Sequence, residues 1–359
     1  MVRIVKRWLL LLILTTLFTS NNSGVTQDQT SSRPNTLFDD ADDIQKQLDN
    51  EARDRIKFGK TKTIWVFHLP TQFPEFSTGA LSRNPGAKPR CAILKPRHKS
   101  KLISAAGIKE WDYANQSKWP ASYPDCGGGS QSPIDLPTRG LIKARAGRPL
   151  VFSNYDSMPK SLTLRDDGKR LILFGTWKRN ERPLVYGGAA HSRRYLFHSL
   201  ILHWPSEHFV GGFQYPMESQ VIHISAEYSS LSEAIEASAR DPLAILGIAN
   251  LYKFGNHTQS CISEVLKAST DTGVGDRSIP LRPLSAFSPP FKQYVTYQGS
   301  LTVPPCTESV LWMVRARSLT MTRITGALTR SLLAPGGEQR WTLLRQPHAR
   351  NDRKIFFFN

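Results

Sequence analysis

The chain has 359 residues, enough to bury a large core with or without an added tail. Its 40% hydrophobic and 10% aromatic content is ordinary for a globular protein and excludes a wholly disordered chain. Basic residues outnumber acidic ones by 47 to 29, a formal charge of +18. That balance favours acidic partners such as sulfated glycans, anionic lipid surfaces or nucleic acid, although a solvated basic surface is the plainer explanation.

Met1–Ser20 begins with Arg3, Lys6 and Arg7 and continues into the apolar run Leu9–Phe18, too short to span a bilayer easily. Small polar residues follow. The pattern predicts a secretory signal peptide over residues 1–23, with an uncleaved signal anchor as the alternative. No later stretch is apolar enough to cross a membrane, and Ile355–Asn359 lacks the long apolar tail of a lipid-anchor signal. The expected product is secreted and extracellular, with no transmembrane segment. Secretion disfavours nucleic acid as a partner, as does the lack of a basic motif interleaved with aromatics.

Residues 24–105 read as a largely disordered region, first polyampholyte and then basic. Within it, residues 39–57 have the pattern of an exposed helix, and Thr63–Leu69 is a short apolar run of strand character. Arg83, Lys88, Arg90, Lys95, Arg97, Lys99 and Lys101 follow with no acidic residue among them. Pro85, Pro89 and Pro96 interrupt that stretch, a composition that resists a packed core. The cysteines are Cys91, Cys126, Cys261 and Cys306; secretion permits disulfides, and four cysteines allow three pairings. Asn115-Gln-Ser and Asn256-His-Thr are candidate glycosylation sequons.

From Trp111 the texture changes to short strand-like runs separated by Gly, Pro and Asn clusters. The runs cover residues 161–164, 170–175, 194–204, 219–225 and 243–254. Helical signals are few, chiefly Ser230–Arg240 and Ile262–Ala268. Many strands with few helices predict a mixed α/β, mainly β fold built on one large sheet and one core.

Several blocks occur in a telling order. They are Trp111-Asp-Tyr113 with Trp119, Cys126-Gly-Gly-Gly-Ser-Gln131-Ser-Pro-Ile-Asp135, Ser206-Glu-His208 and Tyr215-Pro-Met-Glu218. Leu243-Ala-Ile-Leu-Gly247 follows, and then Tyr297-Gln-Gly-Ser-Leu-Thr-Val-Pro-Pro-Cys306 with Trp312. Together these blocks resemble those of the α-type carbonic anhydrases, in particular a secreted, insect-like branch. The resemblance implies a single α-carbonic-anhydrase-like domain over residues 106–356. Its expected architecture is a large twisted central sheet of about ten strands with short surface helices.

In that family three histidines hold zinc, two from alternate positions of one strand and one from its neighbour. Side chains two apart on a strand share a face, so a His-x-His pair can grip one ion. The ion lowers the pKa of its bound water to about 7, a chemistry for which this family is the established example. Laid on this chain, F-H-x-H-W-G becomes Leu200-Ile201-Leu202-His203-Trp204-Pro205. Likewise E-L-H-x-V-H becomes Glu218-Ser219-Gln220-Val221-Ile222-His223. His203 is retained, Ile201 has no lone pair to give, and Gln220 offers a weak amide oxygen. His198 and His223 are out of phase with the site on regular strands, so only a bulge or a register slip would bring either in.

Other positions also carry over from the resemblance. Glu207 and Thr302 match the acid–hydroxyl pair that orients zinc-bound hydroxide; without a metal they would form a buried hydrogen-bonded pair. His208 matches a structural position, and Val303 replaces a second threonine. Asp167-Gly168-Lys169 resembles the turn bearing the proton shuttle, with lysine where many members have histidine. A lysine pKa near 10 suits proton shuttling at neutral pH less well than a histidine near 6.5. The chain is shortened after His203, and Pro205 replaces a glycine there. Cys126 and Cys306 match the pair that secreted members bridge, whereas Cys91 and Cys261 have no counterpart.

These departures imply a carbonic anhydrase-related protein with a broken zinc site, no bound cofactor and no catalysis. It would serve as a secreted binding or structural module for acidic extracellular proteins or sulfated glycans. The alternative is an atypical carbonate dehydratase, a lyase that uses zinc held by His203 and Gln220.

Overall fold

The computed structural model describes residues 110–270, 274–332 and 343–359, all within one compact unit. The signal peptide, the helix at 39–57, the strand Thr63–Leu69 and the basic stretch from Arg83 to Lys101 lie outside the described residues. Among the described residues no helix is long and apolar enough to cross a membrane.

Asp135–Leu136 (β1) and Ile142–Ala144 (β2) come first, then Val151–Ser153 (β3), Ser161–Asp166 (β4), Leu171–Thr176 (β5) and Leu184–Tyr186 (β6). Tyr195–His203 (β7) leads into the short pair Phe209–Val210 (β8) and Phe213–Gln214 (β9). Met217–Ser225 (β10) and Ile245–Phe254 (β11) follow. Gly275–Ser278 (β12), Tyr294–Gly299 (β13), Val310–Arg315 (β14), Leu319–Met321 (β15) and Phe356–Phe358 (β16) complete the strands among the described residues.

Ten strands run side by side in the order β12-β4-β5-β7-β10-β11-β14-β13-β16-β2, within a sheet of 13. The expected sheet of about ten strands is therefore present. β1, β8 and β9 form a separate small sheet. The five runs read from the sequence all fall on strands of the large sheet, namely β4, β5, β7, β10 and β11.

Alternation along the central strands divides the interior into two cores. Leu200, Leu202, Val221, Leu171 and Leu173 point to one. Ile222, Ile224, Ala249, Leu251 and Trp312 belong to the other, against which Ile201 packs. Every residue of β10 is buried, because both faces of this central strand are covered. Gly247 pairs with Trp312 across the parallel β11–β14 ladder, and a Cβ there would meet the indole at 2.7 Å. Only hydrogen fits at that rung.

The helices sit at the surface. Leu231–Glu236 is shorter than expected, ending well before Arg240, and Ser230 Oγ caps it by accepting the Glu233 N–H at 3.1 Å. Ile262–Thr270 runs two residues beyond the expected end at Ala268. Arg323–Ser331 was not anticipated: its Thr, Ile and Gly residues carry weak helix propensity, and Thr322 as N-cap was the readable signal.

Cys126 and Cys306 are disulfide-bonded across 180 residues of sequence, as the resemblance implied. They lie in a small core with Tyr113, Trp119 and Val303. Closing so long a loop stabilises the fold by about 5 kcal/mol on chain-entropy grounds. Cys261 is disulfide-bonded as well. Asn115 and Asn256 are both exposed.

His223 sits on the side of β10 away from Gln220. Its Nδ1 donates to the Val221 carbonyl at 3.2 Å, and its Nε2 accepts from the Tyr155 hydroxyl at 2.8 Å. Both ring nitrogens are thereby used by the neutral form, and burial pushes the pKa down from 6.5 to about 3. A histidine with a depressed folded pKa contributes stability that is complete above about pH 6.5 and lost as pH falls toward 3. Urea unfolding of the wild type and His223→Leu at about pH 7 and pH 5 checks this. The wild type should lose about 2 kcal/mol more than the variant over that interval, and parallel losses would refute the assignment.

Candidate functional site

The antiparallel register of β7 and β10 pairs Ile201 with Gln220 and His203 with Glu218. Directly opposed residues share a face, so the three positions expected to hold a metal do converge on one side of the sheet. On the other flank of β7, Ile172 of β5 pairs with Ile201. The centre of the site is therefore an aliphatic rung, Ile172–Ile201, ending on an amide.

That amide is fully engaged. Gln220 Nε2 donates to Glu207 Oε2 at 2.9 Å and to Glu218 Oε1 at 3.0 Å, while Gln220 Oε1 accepts from the Thr302 hydroxyl at 3.3 Å. Two carboxylates offer only lone pairs and the hydroxyl offers a proton, so this orientation of the amide is dictated by its neighbours. Glu207 and Thr302 are thus linked through Gln220 rather than as the simple pair expected from the sequence.

Both acids are completely buried and well supplied with donors. Glu207 Oε1 accepts the backbone N–H of Arg345 at 2.9 Å. Glu218 Oε2 accepts the N–H groups of Glu207 at 2.9 Å and His208 at 2.8 Å. Its Oε1 takes the His208 Nδ1 proton at 2.7 Å. Burial alone would raise the Glu218 pKa, but the His208 imidazole, His203 and these hydrogen bonds together hold it at about 2. His208 Nε2 lies 2.6 Å from the Tyr297 hydroxyl, which in turn lies 3.0 Å from Ser132 Oγ. His208 is accordingly a structural link.

His203 is buried, with Nδ1 3.5 Å from Glu207 Oε1 and, among the described residues, no hydrogen-bond partner for Nε2. Only Trp204-Pro205-Ser206 separate His203 from Glu207 in the chain, so the contact is local. The Tyr113 hydroxyl is another buried group without a partner.

A bulge does occur opposite His198, between Ile222 and His223. It sets the His198 ring edge-on to Phe174 with centroids 5.9 Å apart, and its Nδ1 3.0 Å from Ser199 Oγ. Burial, reinforced by Arg182, pushes the His198 pKa down to about 4. Among the described residues no group of three or more His, Cys, Asp or Glu side chains is placed to hold a metal ion. The bulge thus leaves His198 against Phe174 and Ser199.

Lys169 stands in the β4–β5 turn, where Asp167 Oδ1 accepts the N–H groups of Lys169 at 2.9 Å and Arg170 at 2.6 Å. Its ammonium lies 4.8 Å from the centre of the Trp111 ring, with Arg170 over the same ring at 5.6 Å. The shuttle position thus carries a cation packed on an indole.

Sequence reasoning missed Arg345, whose guanidinium is buried and donates to the Ser132 carbonyl at 2.8 Å and to Gln131 Oε1 at 2.8 Å. Nothing in its local pattern marks an arginine for burial. Glu218 was within reach, because it is the first letter of the same motif that contains Gln220.

Replacing Gln220 by Leu should take the donor from buried Glu207 Oε2 and leave Glu218 Oε1 with the His208 ring alone. The expected cost is about 3 kcal/mol of unfolding free energy in urea, the usual penalty for stranding a buried charge. A loss below about 1 kcal/mol would mean that the amide is not what satisfies the acids.

Comparison with known proteins agrees with this geometry. The profile of the eukaryotic-type carbonic anhydrases matches residues 114–359. Human carbonic anhydrase 3 is 30% identical over 239 residues, covering 63% of this chain and 88% of that protein. Mouse carbonic anhydrase 6 is 27% identical over 236 residues, 60% of this chain and 70% of its own length. Mouse carbonic anhydrase 15 is 29% identical over 221 residues, 57% of this chain and 68% of its own length. The chain belongs to the eukaryotic-type carbonic anhydrase family.

Proposed function

We propose that this protein is a carbonic anhydrase-related protein whose zinc site has been rebuilt as a metal-free hydrogen-bond cluster. It does not hydrate carbon dioxide, and it works as a secreted binding or structural module. The observation that carries this reading is the Ile201–Gln220 rung: one ligand position is aliphatic, and the other is an amide already bonded to Glu207, Glu218 and Thr302. The family's zinc does not fit these residues. A tight structural zinc site is worth about 10–16 kcal/mol, and His203 alone supplies a small part of that. Three neutral or anionic donors are the minimum for a catalytic site with an open position.

A weak zinc-dependent carbonic anhydrase is the competing reading, and one observation favours it. His203 Nε2 is buried and unpaired, which leaves a donor nitrogen for an ion. Metal analysis of the purified protein, followed by a carbon dioxide hydration assay with and without a sulfonamide, separates the two. The proposal expects substoichiometric zinc and no sulfonamide-sensitive turnover; one zinc per chain with inhibitable turnover would overturn it.

The double variant Ile201→His/Gln220→His tests the register itself. Three imidazoles then share one face, so the variant should take up zinc and gain thermal stability on zinc addition, while the wild type should not. A zinc-stabilised wild type, or a double variant that ignores zinc, contradicts the proposed layout.

A further inference from the structure

Residues 139–148, Arg139-Gly-Leu-Ile-Lys143-Ala-Arg145-Ala-Gly-Arg148, carry four basic side chains and no acidic one. All four are exposed. None of them forms an ion pair among the described residues, whereas Arg165, Arg170, Arg193 and Arg282 each face a carboxylate. This segment contains β2, the last strand in the order of the large sheet, which among the described residues is bonded to β16 alone. Its outer side therefore leaves backbone N–H groups without a ladder partner.

The parallel register sets Ile142 beside Phe356 and Lys143 beside Phe357, and Ile142 N donates to the Ile355 carbonyl at 3.0 Å. Exposed Lys354 lies two residues before Phe356, at the end of the strand pair where β2 begins.

Charge on an edge strand has a plain use, since it stops sheets from pairing edge to edge. Lys143 alone serves that purpose. Arg139, Arg145 and Arg148 flank the three residues that can form a ladder, so edge protection leaves them unexplained.

We propose that the β2 edge binds a sulfated glycosaminoglycan chain. Cations strung along an extended edge, with spare backbone donors between them, suit a linear polyanion better than a compact ion, which needs a converging cradle. Arginine forks match the paired oxygens of sulfate and carboxylate groups. The proposal rests on the extracellular placement but not on the state of the metal site, so zinc analysis and the following test fail independently.

Binding of the full secreted chain to heparin is measured by calorimetry and by salt elution from immobilised heparin. The variant Arg139→Gln/Lys143→Gln/Arg145→Gln/Arg148→Gln should bind at least about tenfold more weakly and elute at lower salt. A control that removes equal charge elsewhere, Lys160→Gln/Arg179→Gln/Arg194→Gln/Lys292→Gln, should stay within about twofold of wild type. Circular dichroism melts of both variants establish that they are folded. Unchanged heparin affinity in the first variant, or a variant that merely self-associates, assigns the charges to edge protection and overturns the proposal. Displacement by polyglutamate as readily as by heparin overturns it too, in favour of acidic proteins.

Discussion

Two buried carboxylates, Glu207 in the turn after β7 and Glu218 on β10, require donors, and one primary amide serves both. Gln220 Nε2 reaches Glu207 and Glu218 at 2.9 and 3.0 Å, and its oxygen takes the Thr302 proton. The remaining oxygens are met by backbone N–H groups of Glu207, His208 and Arg345, while the His208 ring shares Glu218 Oε1 with the amide. Leaving a charge unpaired in such a place costs several kcal/mol, so these contacts constrain every segment that supplies them. β10 provides the amide and one acid, the turn after β7 the other acid, and the loop after β13 the hydroxyl.

Strand register is what makes the cluster possible. The pairing of Ile201 with Gln220 and of His203 with Glu218 places four side chains on one face, and a slip of either strand by one residue would turn its two into the opposite core. The apolar residues of β7 and β10 resist that slip, because Leu200, Leu202 and Val221 are committed to the larger core. The bulge at His198 lies beyond this region. It changes the phase of β7 only toward its beginning, where Phe197 pairs with His223.

Much of this was legible in the residues. Runs rich in Leu, Ile, Val and Phe between turn clusters marked β4, β5, β7, β10 and β11, because half-buried extended chain selects those side chains. The motif blocks made the Cys126–Cys306 bond legible, and they set Ile201 and Gln220 where the resemblance implies histidines. Spacing alone would have left three cysteine pairings open. What the residues did not display was the role of Gln220 as a bridge. A motif comparison names which group stands at a position, whereas the hydrogen-bond partners come from three separate parts of the chain. Arg345 escaped for the same reason. The bulge was undetectable too, since Phe197-His198-Ser199 fits a regular strand equally well.

The Arg345 amide reaches Glu207 across 138 residues of sequence. A nascent chain therefore leaves Glu207 Oε1 without this donor until Arg345 has been synthesised and has docked. Vectorial folding during translation can build the central strands first, yet the carboxylate floor waits for a residue more than a hundred positions downstream.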